Sequence, residues 1–153
     1  MKEKPFASLP VFLVDDDTSV LHASAAVLRS AGVTAIRMVD DSRELLPALD
    51  EQPASAVLLD LFMPHITGNK LLPDIVHLYP EVPVIVMTAA QDVETAVRSM
   101  KEGAFDYLVK PVEESRLIAS VRHALEVHSL RRQMGVLKHY LLSDCLQNNE
   151  AFA

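Results

Sequence analysis

The chain has 153 residues, 50% of them hydrophobic and 23% charged, which suits one soluble domain with a modest appendage and is short for a two-domain enzyme. Its 14 Lys+Arg against 21 Asp+Glu give a formal net charge of -7, a poor match for nucleic-acid or acidic-membrane phosphates, so direct DNA contact is disfavoured. Apolar runs such as Val82 to Ala90 fall short of the roughly 20 residues of a membrane helix, and the Met1-Lys2-Glu3-Lys4 opening lacks a signal peptide's apolar stretch, so a cytoplasmic protein with no membrane contact is expected.

Five short apolar runs follow one another along the chain: Val11 to Val14, Val33 to Val39, Ala56 to Leu59, Val82 to Met87 and Tyr107 to Val109. The first, third and fourth are nearly continuous, as in strands covered on both faces, and the stretches between them have helical spacing and crossover length. The pattern predicts an α/β domain with a parallel sheet. Thr18 or Ser19 opens the first helix and Gly32 closes it, Ser42 caps the second, Asp92 caps the fourth, and Gly103 ends that one. Pro47 and Pro73 fall inside the second and third helices, where each is expected to kink or delay the helix.

Residues 9–127 form one predicted domain, preceded by an N-terminal tail (1–8) and followed by a helical linker and truncated C-terminal tail (128–153). A long helix is predicted from about Glu113 to residue 142. Leu117, Ile118, Val121, Ala124 and Leu125 give it a face to dock on the sheet. Beyond them Val127, Leu130, Met134, Leu137 and Leu141 recur at spacings of 3, 4, 3 and 4, the alternation of a coiled-coil seam, flanked by Arg131, Arg132 and Lys138. A homodimer through this seam is expected; the competing reading is a helix face packed on a neighbouring domain. Charge divides the same way: residues 1–115 hold 9 basic and 18 acidic side chains, residues 116–139 hold 5 and 1. The two parts are expected to do different jobs. Cys145 has no disulfide partner in the chain, and the six histidines lack ligand spacing and read as structural or solvated.

In an open parallel sheet, ligands bind beyond the carboxyl ends of the strands. There the chain places Asp15, Asp16 and Asp17, then Asp60, then Thr88 and Ala89, then Lys110 before Pro111. Converging carboxylates repel unless a cation neutralises them, and an all-oxygen donor set points to Mg²⁺. The Lys110 ammonium and the Thr88 hydroxyl suit phosphoryl oxygens, and one carboxylate can act as nucleophile to form an aspartyl phosphate. Taken singly, the residues have plainer roles: Asp15 to Asp17 as helix caps, Asp60 as a turn residue, Lys110 as a surface lysine. Those roles leave their convergence on one rim unexplained.

Asp15-Asp16, Asp60-Leu61-Phe62-Met63-Pro64 with Gly68, Thr88-Ala89 and Lys110-Pro111, in that order at strand ends, resemble the receiver domain of two-component response regulators over residues 9–127. The resemblance implies a flavodoxin-like doubly wound five-stranded parallel sheet of order 2-1-3-4-5, here with an extended C-terminal helix. It implies that Asp60 accepts the phosphoryl group from a sensor histidine kinase. Asp15, Asp16, Asp60 and the Phe62 backbone carbonyl then hold Mg²⁺, Lys110 and Thr88 contact the phosphoryl group, and Tyr107 is the aromatic switch residue that follows Thr88. Such a domain is a signalling switch rather than an enzyme.

Two departures stand out. Thr67 precedes Gly68 where the family often has aspartate, and the large apolar Phe62 follows the acceptor by two residues, where it is expected to hinder the hydrolytic water. The stretch from Thr88 to Val97, continuing through Met100 to Tyr107, resembles receivers of nitrogen-regulation-type activators that act with sigma-54 through an ATPase domain. No Gly-x-x-x-x-Gly-Lys-Ser/Thr loop is present and Gln147 to Ala153 reads as a sequence cut short, so the expectation is the amino-terminal part of such a regulator, touching DNA only indirectly. Two alternatives remain. One is a stand-alone phosphorelay receiver; the other is a haloacid-dehalogenase-type phosphatase, whose paired aspartates flank one residue as Asp15 and Asp17 do.

Overall fold

The computed structural model describes residues 9–89 and 91–152; the N-terminal tail (1–8), Ala90 and Ala153 lie outside the described residues, as do the side chains of the closing stretch from Leu146. Five strands, β1 (Val11–Val14), β2 (Ile36–Val39), β3 (Ala56–Asp60), β4 (Val84–Ala89) and β5 (Asp106–Lys110), form one sheet in the order β2-β1-β3-β4-β5. Every neighbouring pair is parallel. Helices α1 (Thr18–Ser30), α2 (Leu45–Glu51), α3 (Gly68–Leu78), α4 (Val93–Lys101) and α5 (Glu114–Phe152) make the crossovers and the C-terminal extension.

The near-continuous apolar strands are explained by the two cores. Phe12, Val14, Val57, Leu59, Val84 and Val86 pack with Leu45 and Leu49 of α2 and with Leu71, Leu72 and Ile75 of α3. The alternate strand residues, Val11, Leu13, Leu58, Ile85, Met87 and Leu108, pack with Leu21, Ala25 and Leu28 of α1 and with Leu117, Val121 and Ala124 of α5. Period-two alternation thus feeds both faces.

The second strand is shorter than the run Val33 to Val39. It begins at Ile36, opposite Val11, because β1 itself begins there and the preceding Pro10 has no N–H to donate. Conversely, β3 extends to Asp60, β4 runs from Val84 to Ala89, and β5 covers Asp106 to Lys110. Asp17 caps α1, its carboxylate accepting from the Ser19 N–H at 3.0 Å and the Ser19 hydroxyl at 2.6 Å, with Thr18 the first helical residue. Gly32 and Gly103 take positive φ just past α1 and α4.

Two expected caps are corrected. Ser42 opens a 3-10 turn (Ser42–Glu44) ahead of α2, and the cap of that turn is Asp41, which accepts from the Arg43 N–H at 3.0 Å. Asp41 precedes the turn with extended backbone, so its carboxylate meets the free N–H groups, while the Ser42 hydroxyl turns elsewhere. Asp92 stands at the head of α4 but its side chain makes no capping bond. Pro47 lies in the first turn of α2, where an N–H has no helical partner in any case, whereas Pro73 sits inside α3, which continues to Leu78 because Leu71, Leu72 and Ile75 anchor it. Helix α5 runs 39 residues, past the expected end near residue 142. His128 is 2% exposed, and its ring is held below the ordinary imidazole pKa by burial first and then by Arg132 and Arg131.

Candidate functional site

From β1 the chain turns to β2 on one side, whereas β3 lies on the other, so the carboxyl ends of β1 and β3 flank the crevice where the strand order reverses. Asp15 follows β1 directly. Asp60 is the last residue of β3, paired with Met87, while Thr88 pairs with Val109 and Ala89 with Lys110. Asp60, Thr88 and Lys110 therefore stand on the last rungs of the ladder and Asp15 one residue past β1, so the sheet fixes their positions.

Asp15 is 1% and Asp60 4% exposed, while Asp16 is open to solvent. One carboxylate oxygen from each of the three lies within 4.8 Å of the others. Lys110 Nζ donates to Asp15 Oδ2 at 2.8 Å and stands 3.3 Å from Asp60 Oδ2. The other oxygen of each buried carboxylate accepts from backbone: Asp15 Oδ1 from the Asp17 N–H at 3.0 Å, Asp60 Oδ1 from the Phe62 N–H at 3.1 Å. Burial raises the Asp60 pKa, and the neighbouring Asp15 charge adds to the rise against the Phe62 N–H and Lys110. For Lys110, burial works against its charge, but its bonds and attraction to Asp15 and Asp60 prevail and its pKa is raised. One cation thus faces three carboxyl groups, two of them buried.

That charge excess defines what fits. All three donors are hard oxygens, and the exposed Asp16 side leaves room for the water ligands that Mg²⁺ keeps. Thr88 adds a second observation. It is 1% exposed, and among the described residues its Oγ1 is the buried side-chain oxygen or nitrogen with no hydrogen-bond partner. An orphaned buried hydroxyl costs about 1–3 kcal/mol, and phosphoryl oxygens are the kind of acceptor it lacks.

The segment joining β3 to α3 is pinned at several points. Leu61 and Met63 are buried pegs, while Phe62 between them is 54% exposed. At the head of α3, the Gly68 N–H donates to the Leu61 carbonyl at 3.1 Å, and a Cβ there would stand 2.5 Å from the Asp60 carbonyl oxygen. Only glycine fits that approach. Tyr107 is 38% exposed, its backbone tied to Arg116 and Asp106.

Of the seam residues, Val127 is half-buried and Leu130, Met134, Leu137 and Leu141 are 51 to 64% exposed, beside Pro80 and Glu81 in a groove of about 820 Å³. Sequence reasoning missed an apolar cavity of about 520 Å³ between α1 and α5 that reaches Lys110, lined by Val20, Val27, Met87 and Leu117. It also missed the bonds of the Ser42 hydroxyl to the Pro64 carbonyl and the Ile66 N–H. Neither leaves a local signal in the sequence, since each depends on elements far apart in the chain.

The model of the response regulator receiver domain matches residues 11–122. The chain belongs to that family. A putative NtrX-like response regulator of Rickettsia felis is 36% identical over 134 residues, covering 86% of this chain and 28% of that protein. The DNA-binding transcriptional regulator NtrC of Salmonella typhimurium is 36% identical over 123 residues, 80% of this chain and 26% of that protein. The chain therefore spans little more than a quarter of these relatives. Among solved structures, the receiver domain of NtrX from Brucella abortus superposes with a TM-score of 0.72 at 30% identity, covering 76% of this chain and 98% of that one. The receiver is thus a phosphorylation-dependent signalling domain, and among its described residues no helix is long and apolar enough to cross a membrane.

Proposed function

We propose that this receiver, residues 9–127, is a Mg²⁺-dependent switch that accepts a phosphoryl group on Asp60 from a sensor histidine kinase. The observation that carries the reading is the convergence of buried Asp15 and Asp60 and exposed Asp16 on one point, with Lys110 bound to both buried members. Asp60 Oδ attacks phosphorus, the bond from phosphorus to the kinase imidazole nitrogen breaks, and the carboxylate becomes an acyl phosphate. Mg²⁺, held by Asp15, Asp16, Asp60 and the Phe62 carbonyl, supplies charge neutralisation for the transferring group. Lys110 exchanges part of its contact with Asp60 for a phosphoryl oxygen, and the Thr88 hydroxyl donates to another. Drawn toward the phosphoryl group, Thr88 vacates space into which the exposed Tyr107 ring turns, biasing a two-state equilibrium over α4, β5 and α5.

Output runs through the linker (128–153). Two receivers pair along Val127, Leu130, Met134, Leu137 and Leu141, and the exposure of the last four in the single chain supports that role. The similarity to NtrX-like and NtrC proteins supports a cytoplasmic regulator in which a sigma-54 ATPase follows and reaches DNA on the receiver's behalf. The haloacid-dehalogenase alternative loses force because the Asp17 carboxylate is occupied in capping α1.

The test is intact mass and light-scattering mass with Mg²⁺ and acetyl phosphate or beryllofluoride, on wild type and Asp60→Asn. A phosphoryl adduct confined to wild type, with a change in particle mass, is expected. An adduct that persists in Asp60→Asn moves the nucleophile to Asp15–Asp17, and an adduct without change in size removes the dimer from the mechanism.

A further inference from the structure

The segment from Leu61 to Thr67, which carries the proposed metal-binding carbonyl of Phe62, contains a residue in an unfavourable conformation. His65 has φ +72°, and a non-glycine side chain there crowds its own backbone. The hydroxyl of Ser42 spans that residue. It donates to the Pro64 carbonyl at 2.8 Å and accepts from the Ile66 N–H at 3.1 Å, so the backbone groups on both sides of His65 end on one oxygen. Ser42 is 2% exposed, and Asp41 fixes the turn that holds it through bonds to the Arg43 backbone and guanidinium.

We infer that Ser42 is a positioning residue for the phosphorylation site: its hydroxyl brackets the left-handed His65 and thereby holds the loop carrying the Phe62 carbonyl in the form that binds Mg²⁺. The inference rests on the proposed receiver chemistry and extends it to a residue 18 positions from Asp60 in sequence, outside every motif that marks the site. The loop has buried pegs at Leu61 and Met63 and the Gly68 contact at its far end. Between Met63 and Thr67 the Ser42 bracket is what ties its backbone to the rest of the domain. Without the hydroxyl, the Pro64 carbonyl and the Ile66 N–H lose their partner, and His65 relaxes toward negative φ. That relaxation reorients the peptide planes leading back to Phe62. Because glycine adopts positive φ without steric cost, His65→Gly lessens the loop's need for the bracket.

The experiment compares wild type, Ser42→Ala, His65→Gly and the double variant as the whole 153-residue chain. Mg²⁺ affinity is measured by calorimetric titration with MgCl₂, and Ile66 amide exchange is measured without Mg²⁺. Ser42→Ala is expected to bind Mg²⁺ about tenfold more weakly, equivalent to about 1.4 kcal/mol, while the double variant lies within about threefold of wild type. With acetyl phosphate, Ser42→Ala needs more Mg²⁺ for half-maximal rate and reaches the wild-type plateau, a split that simple loss of stability does not produce. Ile66 exchange is expected to quicken at least tenfold in Ser42→Ala. Wild-type Mg²⁺ affinity in Ser42→Ala, or a double variant no better than Ser42→Ala, overturns the inference. Unchanged Ile66 exchange overturns the bracket whatever the metal does, whereas a wild type that binds no Mg²⁺ while Ser42→Ala quickens that exchange refutes the receiver chemistry and leaves the bracket standing as a loop clamp.

Discussion

Two glycine-to-alanine substitutions in this chain are expected to act in opposite directions, and the structure supplies both signs. At Gly68 an added Cβ stands 2.5 Å from the Asp60 carbonyl oxygen, 2.7 Å from Leu61 Cα and 3.0 Å from Leu61 Cδ2. Two of those atoms belong to the backbone at the buried end of β3, so the strand end or the start of α3 must move by nearly an ångström. Overpacking of this kind costs about 1–3 kcal/mol, and rigid backbone on the receiving side puts Gly68→Ala at the upper end. For a chain of this size that lowers Tm by about 6–12 °C. Gly135 provides the control: it lies exposed within α5 with nothing within 4 Å of the same Cβ, so Gly135→Ala gains helix propensity of up to about 1 kcal/mol and melts higher. Circular dichroism melts of the three proteins at one concentration measure both effects. Because the displaced backbone is that of Asp60, Gly68→Ala also lowers phosphorylation by acetyl phosphate at temperatures where the variant is fully folded. A Gly68→Ala protein that melts at or above wild type refutes the close-approach argument.

Protonation offers a second check. Burial and the Asp15 charge set the folded-state pKa of Asp60 above its unfolded value, so between the two the folded chain binds more protons and its stability falls as pH rises. Asp60→Asn removes that contribution: its urea midpoint is expected to exceed wild type at pH 7 and to converge with it at acidic pH, and parallel pH profiles refute the assignment. Thr88→Val deletes an oxygen that has no partner, so its Tm is expected to match or exceed wild type by a few degrees while the phosphorylation-linked change in particle mass is lost; a large drop in Tm means the hydroxyl is bonded. Phe62, 54% exposed two residues after Asp60, is expected to shield the acyl phosphate from water, so Phe62→Asn shortens its half-life by roughly tenfold, or about 1.4 kcal/mol of barrier, and an unchanged decay rate removes that role. Leu137 is 51% exposed, so Leu137→Glu is expected to leave the melting of the dilute single chain near wild type and to abolish the proposed dimer in light scattering, and a particle mass unchanged from wild type refutes the seam.

The alternation of nearly continuous apolar runs with helical stretches was enough to place strands and helices along the chain in a parallel α/β domain, because strands buried on both faces have few polar positions. Strand-end chemistry was equally legible. Asp15, Asp16, Asp60, Thr88 and Lys110 are few, charged or polar, and adjacent to runs that are neither, so their convergence follows once the strands are parallel. Local signals failed where two readings share one local pattern. A serine ahead of a helix reads as a cap, yet the cap is Asp41, and the Ser42 hydroxyl is engaged instead by the loop after Asp60. The sequence left His128 as either structural or solvated, and the fold buries it. Periodicity and residue chemistry are properties of neighbours along the chain, and they pointed to a parallel α/β sheet and the acidic rim, while the strand order was implied by the family resemblance. Burial of His128, the orphaned Thr88 hydroxyl, the cavity beside Lys110 and the Ser42 bracket each depend on segments 20 or more residues apart meeting at ångström distances, which packing of the two cores alone decides.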